Sequence, residues 1–270
     1  MSDSVAATIA SVLKARPSAL LFDFDGCLSE LTNEPGSAVI HPRNESALRR
    51  LTGTVDVLGI VTGRAAHDVM TKVDTSELIV VGNHGLETYH RGVHVEHNAG
   101  VEAMTAINVA MDEISERLKR DKLDAGVIFE NKRLSASIHY RQAPNRKQVG
   151  SVLIPLARLI ATGHGLRLTE GKLIVELRPM EEVTKGTAVT RLVEEFDLNS
   201  AVFMGDDLTD VDGFLGLKLL RTAGVIESLS VGVIGPDSHA RVAETADAFV
   251  TGVEGVADLL EDLIQQLERN

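Results

Sequence analysis

The run Leu20-Leu21-Phe22-Asp23-Phe24-Asp25-Gly26 carries apolar residues straight into two carboxylates placed two apart, followed by a glycine. On a strand, residues two apart point the same way, so Asp23 and Asp25 can both reach a point just beyond the strand's carboxyl end. Open α/β sheets bind ligands there. One acid could attack an electrophile while the other moves a proton. A plain solvated Asp-Gly turn is the alternative for this segment alone. A second acidic strand end tips the balance towards chemistry: Ala201-Val202-Phe203-Met204-Gly205-Asp206-Asp207-Leu208-Thr209-Asp210 repeats the pattern late in the chain.

Two acidic strand ends side by side would hold a divalent cation. Mg²⁺ takes oxygen ligands and needs only one or two protein carboxylates besides waters and substrate phosphate oxygens, a demand that Asp23 and Asp206 meet. Zinc does not compete, because the chain has a single cysteine, Cys27, and neither CxxC nor HExxH spacing. His90, His94 and His97 sit in a stretch that reads as a solvated turn more readily than as a metal cluster.

Two further pieces suit phosphoryl transfer. Val57-Leu58-Gly59-Ile60-Val61-Thr62-Gly63-Arg64 is a strand ending in a hydroxyl, with a helix expected from about Ala65. Thr62 could donate to a phosphate oxygen, helped by backbone N–H groups of the turn, or it could be an ordinary helix cap. In Thr184-Lys185-Gly186-Thr187, Thr184 reads as an N-cap and Lys185 falls in the first helical turn, where the helix dipole disfavours a cation. An anionic ligand would resolve that conflict. A solvated surface lysine is the alternative.

In this order, the Asp-x-Asp, Thr, Lys and Gly-Asp-Asp pieces resemble the four signature motifs of the haloacid dehalogenase superfamily of phosphatases. Finer detail resembles the trehalose-6-phosphate phosphatases: Gly82-Asn83-His84-Gly85-Leu86-Glu87, the run from Glu130 through Lys132 and Ser135 to His139-Tyr140-Arg141, Gly171-Lys172 with Glu176-Leu177-Arg178-Pro179, Lys185-Gly186, and the second acidic strand end. Two departures are Cys27, where the family usually has threonine, and Val211-Asp212-Gly213-Phe214, where it usually has more acid.

The resemblance implies Mg²⁺-dependent hydrolysis of trehalose-6-phosphate. Asp23 would be the nucleophile and Asp25 the acid/base, with Thr62 and Lys185 steadying charge. Asp23, Asp25 and Asp206 would hold the metal, supported by Asp207 and Asp210. Substrate contacts would come from Arg64, Asn83, His84, Glu130, Lys132, Arg141, Lys172, Glu176 and Arg178, although His84, like His139 and Tyr140, could equally be hinge structure. From spacing alone, Lys172 and Glu176 lie four apart on one strand and share a face, as do Glu130 and Lys132. Exposed cross-strand ion pairs are the bland alternative for these charges. Other expectations kept open are a related glycosyl or pseudo-disaccharide phosphate as substrate (sucrose phosphate, glucosylglycerol phosphate, a validoxylamine-type phosphate), or a non-catalytic sugar-phosphate sensor.

The elements that must position these groups follow from hydrophobic patterning. Apolar strands at about 19–22, 55–61, 79–81, 201–204 and 230–234 alternate with helices, as a parallel sheet covered on both faces requires. The last helix carries Val253, Val256, Leu259, Leu260, Leu263, Ile264 and Leu267 at helical spacing. Between about 85 and 178 the pattern changes to strands at 86–89, 127–130, 134–140, 167–168 and 173–177 with two helices. One of these bears Val101, Met104, Ile107, Met111, Ile114 and Leu118, and the other spans about 146–161. The fold class expected is α/β, a doubly wound, haloacid dehalogenase-like core of residues 1–84 and 180–270 with an inserted α+β cap at 85–179. Too little chain separates Asp25 from Thr62 to hold a lid, so the insertion follows Thr62.

The chain has 270 residues with a formal charge of -12, which argues against nucleic acid as a partner. Aromatic residues make up 3% and tryptophan is absent, so a sugar would be read by hydrogen bonds more than by stacking. No apolar stretch approaches the ~20 residues that span a bilayer, and the N-terminus lacks a signal-peptide pattern. A cytoplasmic location, a small-molecule sugar phosphate as partner and no membrane association are the resulting expectations.

Overall fold

Leu20 and Phe22 pack into one apolar cluster while Ala19 and Leu21 pack into another, so the first strand is buried on both faces. That is the environment of a central parallel strand, and it explains the unbroken apolar run. A computed structural model describes residues 4–32, 34–73, 77–236 and 238–269 of this architecture. In chain order the elements are α1 (Val5–Val12), β1 (Ser18–Phe22), α2 (Pro42–Leu51), β2 (Val57–Val61), α3 (Ala66–Met70), β3 (Ile79–Gly82), β4 (Glu87–His90), β5 (Val93–Glu96), α4 (Asn98–Arg120), β6 (Ile128–Asn131), β7 (Ala136–His139), α5 (Arg146–Gly163), β8 (Leu166–Gly171), β9 (Ile174–Pro179), α6 (Lys185–Glu195), β10 (Ser200–Gly205), α7 (Leu208–Thr222), β11 (Glu227–Ile234), α8 (Ala240–Thr245), β12 (Ala248–Thr251) and α9 (Gly252–Glu268).

The chain forms two compact units, Met1–Val95 with Val183–Asn270, and Glu96–Glu182. In the first, strands run in the order β12-β11-β10-β1-β2-β3-β4-β5. β1 pairs in parallel with β10 on one side and β2 on the other, with Phe22 opposite Met204 and Ile60. One face packs against α1, α2 and α9, the other against α6 and α7. The expected last-helix stripe is the buried face of α9.

The strand expected at 86–89 belongs to this sheet and not to the inserted module. β4 pairs antiparallel with β3, placing Val81 opposite Thr88 and Gly82 opposite Glu87. The reason is a tight reversal at Asn83, His84 and Gly85, all with positive φ, which folds the chain back as a hairpin. The compact units accordingly divide at 95/96 and 182/183, against the 84/85 and 179/180 limits expected from the change in pattern.

The second unit is a four-stranded antiparallel sheet, β6-β7-β9-β8, with α4 and α5 on one face. Ile107, Met111, Ile114 and Leu118 of α4 meet Val149, Leu153 and Ala157 of α5 over Ala136, Ile138, Val175 and Leu177. Val101, counted in the expected stripe, is exposed. Period-2 alternation then leaves Glu130, Ser137, Glu176 and Thr169 in register across the opposite face. Among the described residues no helix is long and apolar enough to cross a membrane.

Candidate active site

Because β1 and β10 are parallel neighbours in register, their carboxyl ends bring Asp23 and Asp206 to the same edge of the sheet. The amide of Asp23 donates to the carbonyl of Met204 at 2.8 Å, which ties the first acidic loop to the end of β10. Gly26, at φ 75°, lets the chain turn directly against Asp206, and any side chain there would overlap that carboxylate. Cys27 points into the core, its thiol 3.7 Å from the Met204 carbonyl oxygen.

Lys185 enters from the first turn of α6, after the Thr184 cap, and is buried. Its Nζ lies 2.9 Å from Asp23 Oδ1 and 2.7 Å from Asp210 Oδ1. The carboxylates that answer the helix-dipole conflict are therefore the protein's own. Asp210 uses its second oxygen to accept the amides of Asp206 and Asp207, at 3.1 and 3.0 Å. Asp207 itself stands at the exposed N-cap of α7.

Charge is unbalanced in this cluster. Burial, then the charge of Asp210, pushes the Asp23 carboxyl up to about 8 against the pull of Lys185. Burial and the neighbouring carboxylates Asp210 and Asp23 raise Asp206 well above the carboxylate range. Asp210 is raised by burial despite Lys185. For Lys185, burial alone would lower the value, but Asp210 and Asp23 overturn that and lift it. Three carboxylates against one ammonium leave room for more positive charge. Asp206 Oδ1 is buried without a hydrogen-bond partner. Oxygens of Asp23, Asp206 and Asp210 all lie within 4.8 Å of one another, a hard, all-oxygen donor set that suits Mg²⁺.

Asp25, expected beside the metal, is held elsewhere. Arg64 grips both of its oxygens, Nε to Oδ2 at 2.6 Å and Nη2 to Oδ1 at 2.7 Å, while Nη1 reaches Asp68 at 2.7 Å. The guanidinium lies 5.5 Å from the centre of the Phe24 ring. Asp210, expected only as support, joins Asp23 and Asp206 in the cluster, because the first turn of α7 returns its carboxylate to the amides of Asp206 and Asp207. Thr62 follows β2, buried, and its Oγ1 accepts the Arg64 amide at 3.2 Å. It is not the cap of α3, whose N-cap position is Ala65.

Asn83 and His84 are buried in the β3–β4 reversal. In the second unit, Lys132 Nζ meets Glu176 Oε1 at 3.0 Å, and Ser137 Oγ donates to the same oxygen at 2.9 Å. Glu130 pairs with His139 at 2.8 Å. Lys172 does not share a strand with Glu176: it sits in the β8–β9 turn, where its carbonyl accepts from Arg141 Nη2 at 3.4 Å. Arg178 is buried opposite Arg167. The three histidines are not turn residues as expected. His90 ends β4, His94 lies in β5 beside Glu87, and His97 caps α4. Ser137 and Glu87 are not among the expected site residues; Glu87 ends the run of residues 82–87, and the signal for Ser137 is its even spacing from His139 on β7.

A profile of the family described as trehalose-phosphatase matches residues 21–247, which include both acidic strand ends, Thr62, Lys185 and the whole second unit. The chain belongs to the trehalose-phosphatase family. A trehalose-phosphate phosphatase from Mycobacterium tuberculosis is 31% identical over 251 residues, covering 88% of this chain and 63% of the relative. The chain thus spans a little under two thirds of that relative's length. Among solved structures, the C-terminal domain of trehalose-6-phosphate phosphatase from C. albicans superposes with a TM-score of 0.77 at 21% identity, covering 97% of each chain. The C-terminal domain of the Candida albicans trehalose synthase regulatory protein has a TM-score of 0.69 at 13% identity, covering 96% of this chain and 97% of that one. At such identities both share the family's α/β fold.

Proposed function

We propose that this chain is a Mg²⁺-dependent phosphatase that hydrolyses trehalose-6-phosphate to trehalose and phosphate. The observation that carries this is the buried Lys185 ammonium shared by Asp23 and Asp210, beside an Asp206 oxygen with no hydrogen-bond partner. A nucleophile, a fixed cation and a hard-metal donor set meet at the ends of adjacent strands, in a family whose members are named for this substrate.

Asp23 attacks phosphorus and forms an aspartyl-phosphate as the bond from phosphorus to the sugar oxygen breaks. Asp25 delivers the proton that the departing sugar oxygen needs, then takes one from the water that hydrolyses the intermediate and releases phosphate. Lys185 neutralises charge beside the nucleophile, and Thr62 donates its hydroxyl proton to a phosphate oxygen. Asp206, Asp23 and Asp210 would hold Mg²⁺, which supplies charge neutralisation for the phosphoryl group. Arg64 keeps Asp25 oriented.

Residues 96–182 are proposed to read the sugar. The row of Glu130, Ser137 and Glu176 places charges and a hydroxyl on the sheet face that α4 and α5 leave uncovered, and supports recognition of hydroxyl groups. Lys132 follows β6 instead of sharing its face with Glu130, and joins the row by reaching Glu176 with its ammonium. Arg141, Lys172 and Arg178 flank that row. The test is phosphate release from a panel of sugar phosphates including trehalose-6-phosphate, with Mg²⁺ and with EDTA. Metal-dependent turnover strongest on trehalose-6-phosphate is expected. Preference for another glycosyl phosphate would overturn the substrate, and no turnover on any would overturn the enzyme.

A further inference from the structure

The loop from Thr62 to Ala66 carries Thr62 and Arg64, yet the helix that follows it has no cap of its own. Ala65 stands at the N-cap of α3 without a side-chain hydrogen bond. First-turn amides left open in this way must be met from elsewhere. The first of them, on Ala66, is met from β4. Glu87 is buried, and its Oε1 accepts the Ala66 amide at 3.0 Å and the side-chain amide of Asn83 at 2.5 Å. Its Oε2 lies 2.8 Å from His94 Nε2 on β5. A buried carboxylate is costly without such partners.

The β3–β4 reversal completes the support. The Asn83 amide donates to the Arg64 carbonyl at 2.7 Å, and the His84 amide to the Thr62 carbonyl at 2.9 Å. Asn83 and His84 are both non-glycine residues in the left-handed region, at φ 50° and 57°, a strained arrangement that persists only where surroundings hold it. The fit is close on both sides. A Cβ on Gly63 would come within 2.6 Å of the His84 ring, and one on Gly82 would overlap the Ala66 amide nitrogen. This reversal is thus shaped against the loop, and Glu87 is the group that joins loop, reversal and β5.

We infer that Glu87 is a positioning residue for the phosphoryl-transfer site. Through the Ala66 amide and Asn83 it fixes the Thr62–Ala66 loop, so that the Thr62 hydroxyl and the Arg64 grip on Asp25 are in place before substrate arrives. The role in turnover rests on the phosphatase function proposed above; the fixing of the loop does not.

The test compares the full chain with its Glu87→Ala and Glu87→Gln variants. Gln keeps a carbonyl oxygen for Ala66 and Asn83 and an amide that can donate to His94. Glu87→Ala is expected to lower kcat roughly tenfold or more on both a sugar phosphate and a small aryl phosphate, with KM changed less than about threefold. Glu87→Gln is expected to restore most of kcat. Wild-type kcat in the Ala variant overturns the inference, and so does a Gln variant as slow as Ala. Should Glu87→Ala not fold, Glu87→Asp, a methylene too short to reach both Ala66 and His94, is expected to show the same kcat loss, and wild-type kcat in it overturns the inference. Hydrogen exchange of the Ala66 amide, followed by NMR without substrate, separates the two proposals. Loss of its protection in the Ala or Asp variant supports the positioning role even if the wild-type chain turns over nothing, a result that overturns the phosphatase function alone. Unchanged protection overturns the positioning role whatever the turnover.

Discussion

Arg64 holds Asp25 by both carboxylate oxygens, at 2.6 and 2.7 Å, in a fork that fixes the plane of the acid as well as its place. Arg64 is itself anchored by Asp68 and by the Phe24 ring, so the proposed acid/base group is oriented through a guanidinium that is held at two further points. Arg64→Ala is expected to lower kcat by about 100-fold on sugar and aryl phosphates alike, since a misplaced proton donor costs on this scale. Arg64→Lys, which cannot form the fork, should recover little of it. Steady-state kinetics on both substrates check this; a loss confined to the sugar phosphate would make Arg64 a sugar contact instead.

Asp23 links stability to pH. Its carboxyl is pushed from 3.8 to about 8 by burial and Asp210, so between those limits the folded chain binds a proton there that the unfolded chain gives up. Folding stability from this group is full at the acid end and falls as pH rises through the window. Asp23→Asn removes the effect. Without divalent cation, the variant is expected to be more stable than wild type by on the order of 2 kcal/mol near pH 8, with the gap closing towards pH 4. Urea melts across that range measure it, and a gap that does not vary with pH would disprove the coupling.

Mg²⁺ should act on the same imbalance. A cation bound by Asp23, Asp206 and Asp210 stabilises only the folded chain, by about 2.7 kcal/mol at a hundredfold excess over its Kd. A rise in Tm of several degrees is expected with Mg²⁺ for wild type and none for Asp206→Ala, whose cluster has lost a member. An equal rise in both would place the ion elsewhere.

The second unit carries the sugar specificity if the proposed division holds. Lys132 and Ser137 converge on one oxygen of Glu176, so Glu176→Ala dissolves the arrangement at its centre. It is expected to raise KM for the sugar phosphate at least about tenfold, while kcat/KM on a small aryl phosphate stays within about twofold. Equal losses on both substrates would argue against a separate reading surface.

What the sequence alone determined was where the carboxylates stand and the strands that carry them. Asp23, Asp25 and Asp206 stand directly after apolar runs, and such runs must be buried strands, so the carboxylates had to emerge at strand ends. Tertiary structure decided who pairs with whom. Register between β1 and β10 joined Asp23 to Asp206, and the packing of α6 on α7 brought Lys185 to Asp210. Asp25 went to Arg64, thirty-nine residues away, a choice no local pattern encodes. The same distinction explains β4. Its four residues, Glu87–His90, carry no pattern that selects a sheet, and the left-handed reversal at Asn83 and His84 commits it to the core. Periodicity reports which face is buried, whereas the identity of the partner across a contact depends on folding distant segments together.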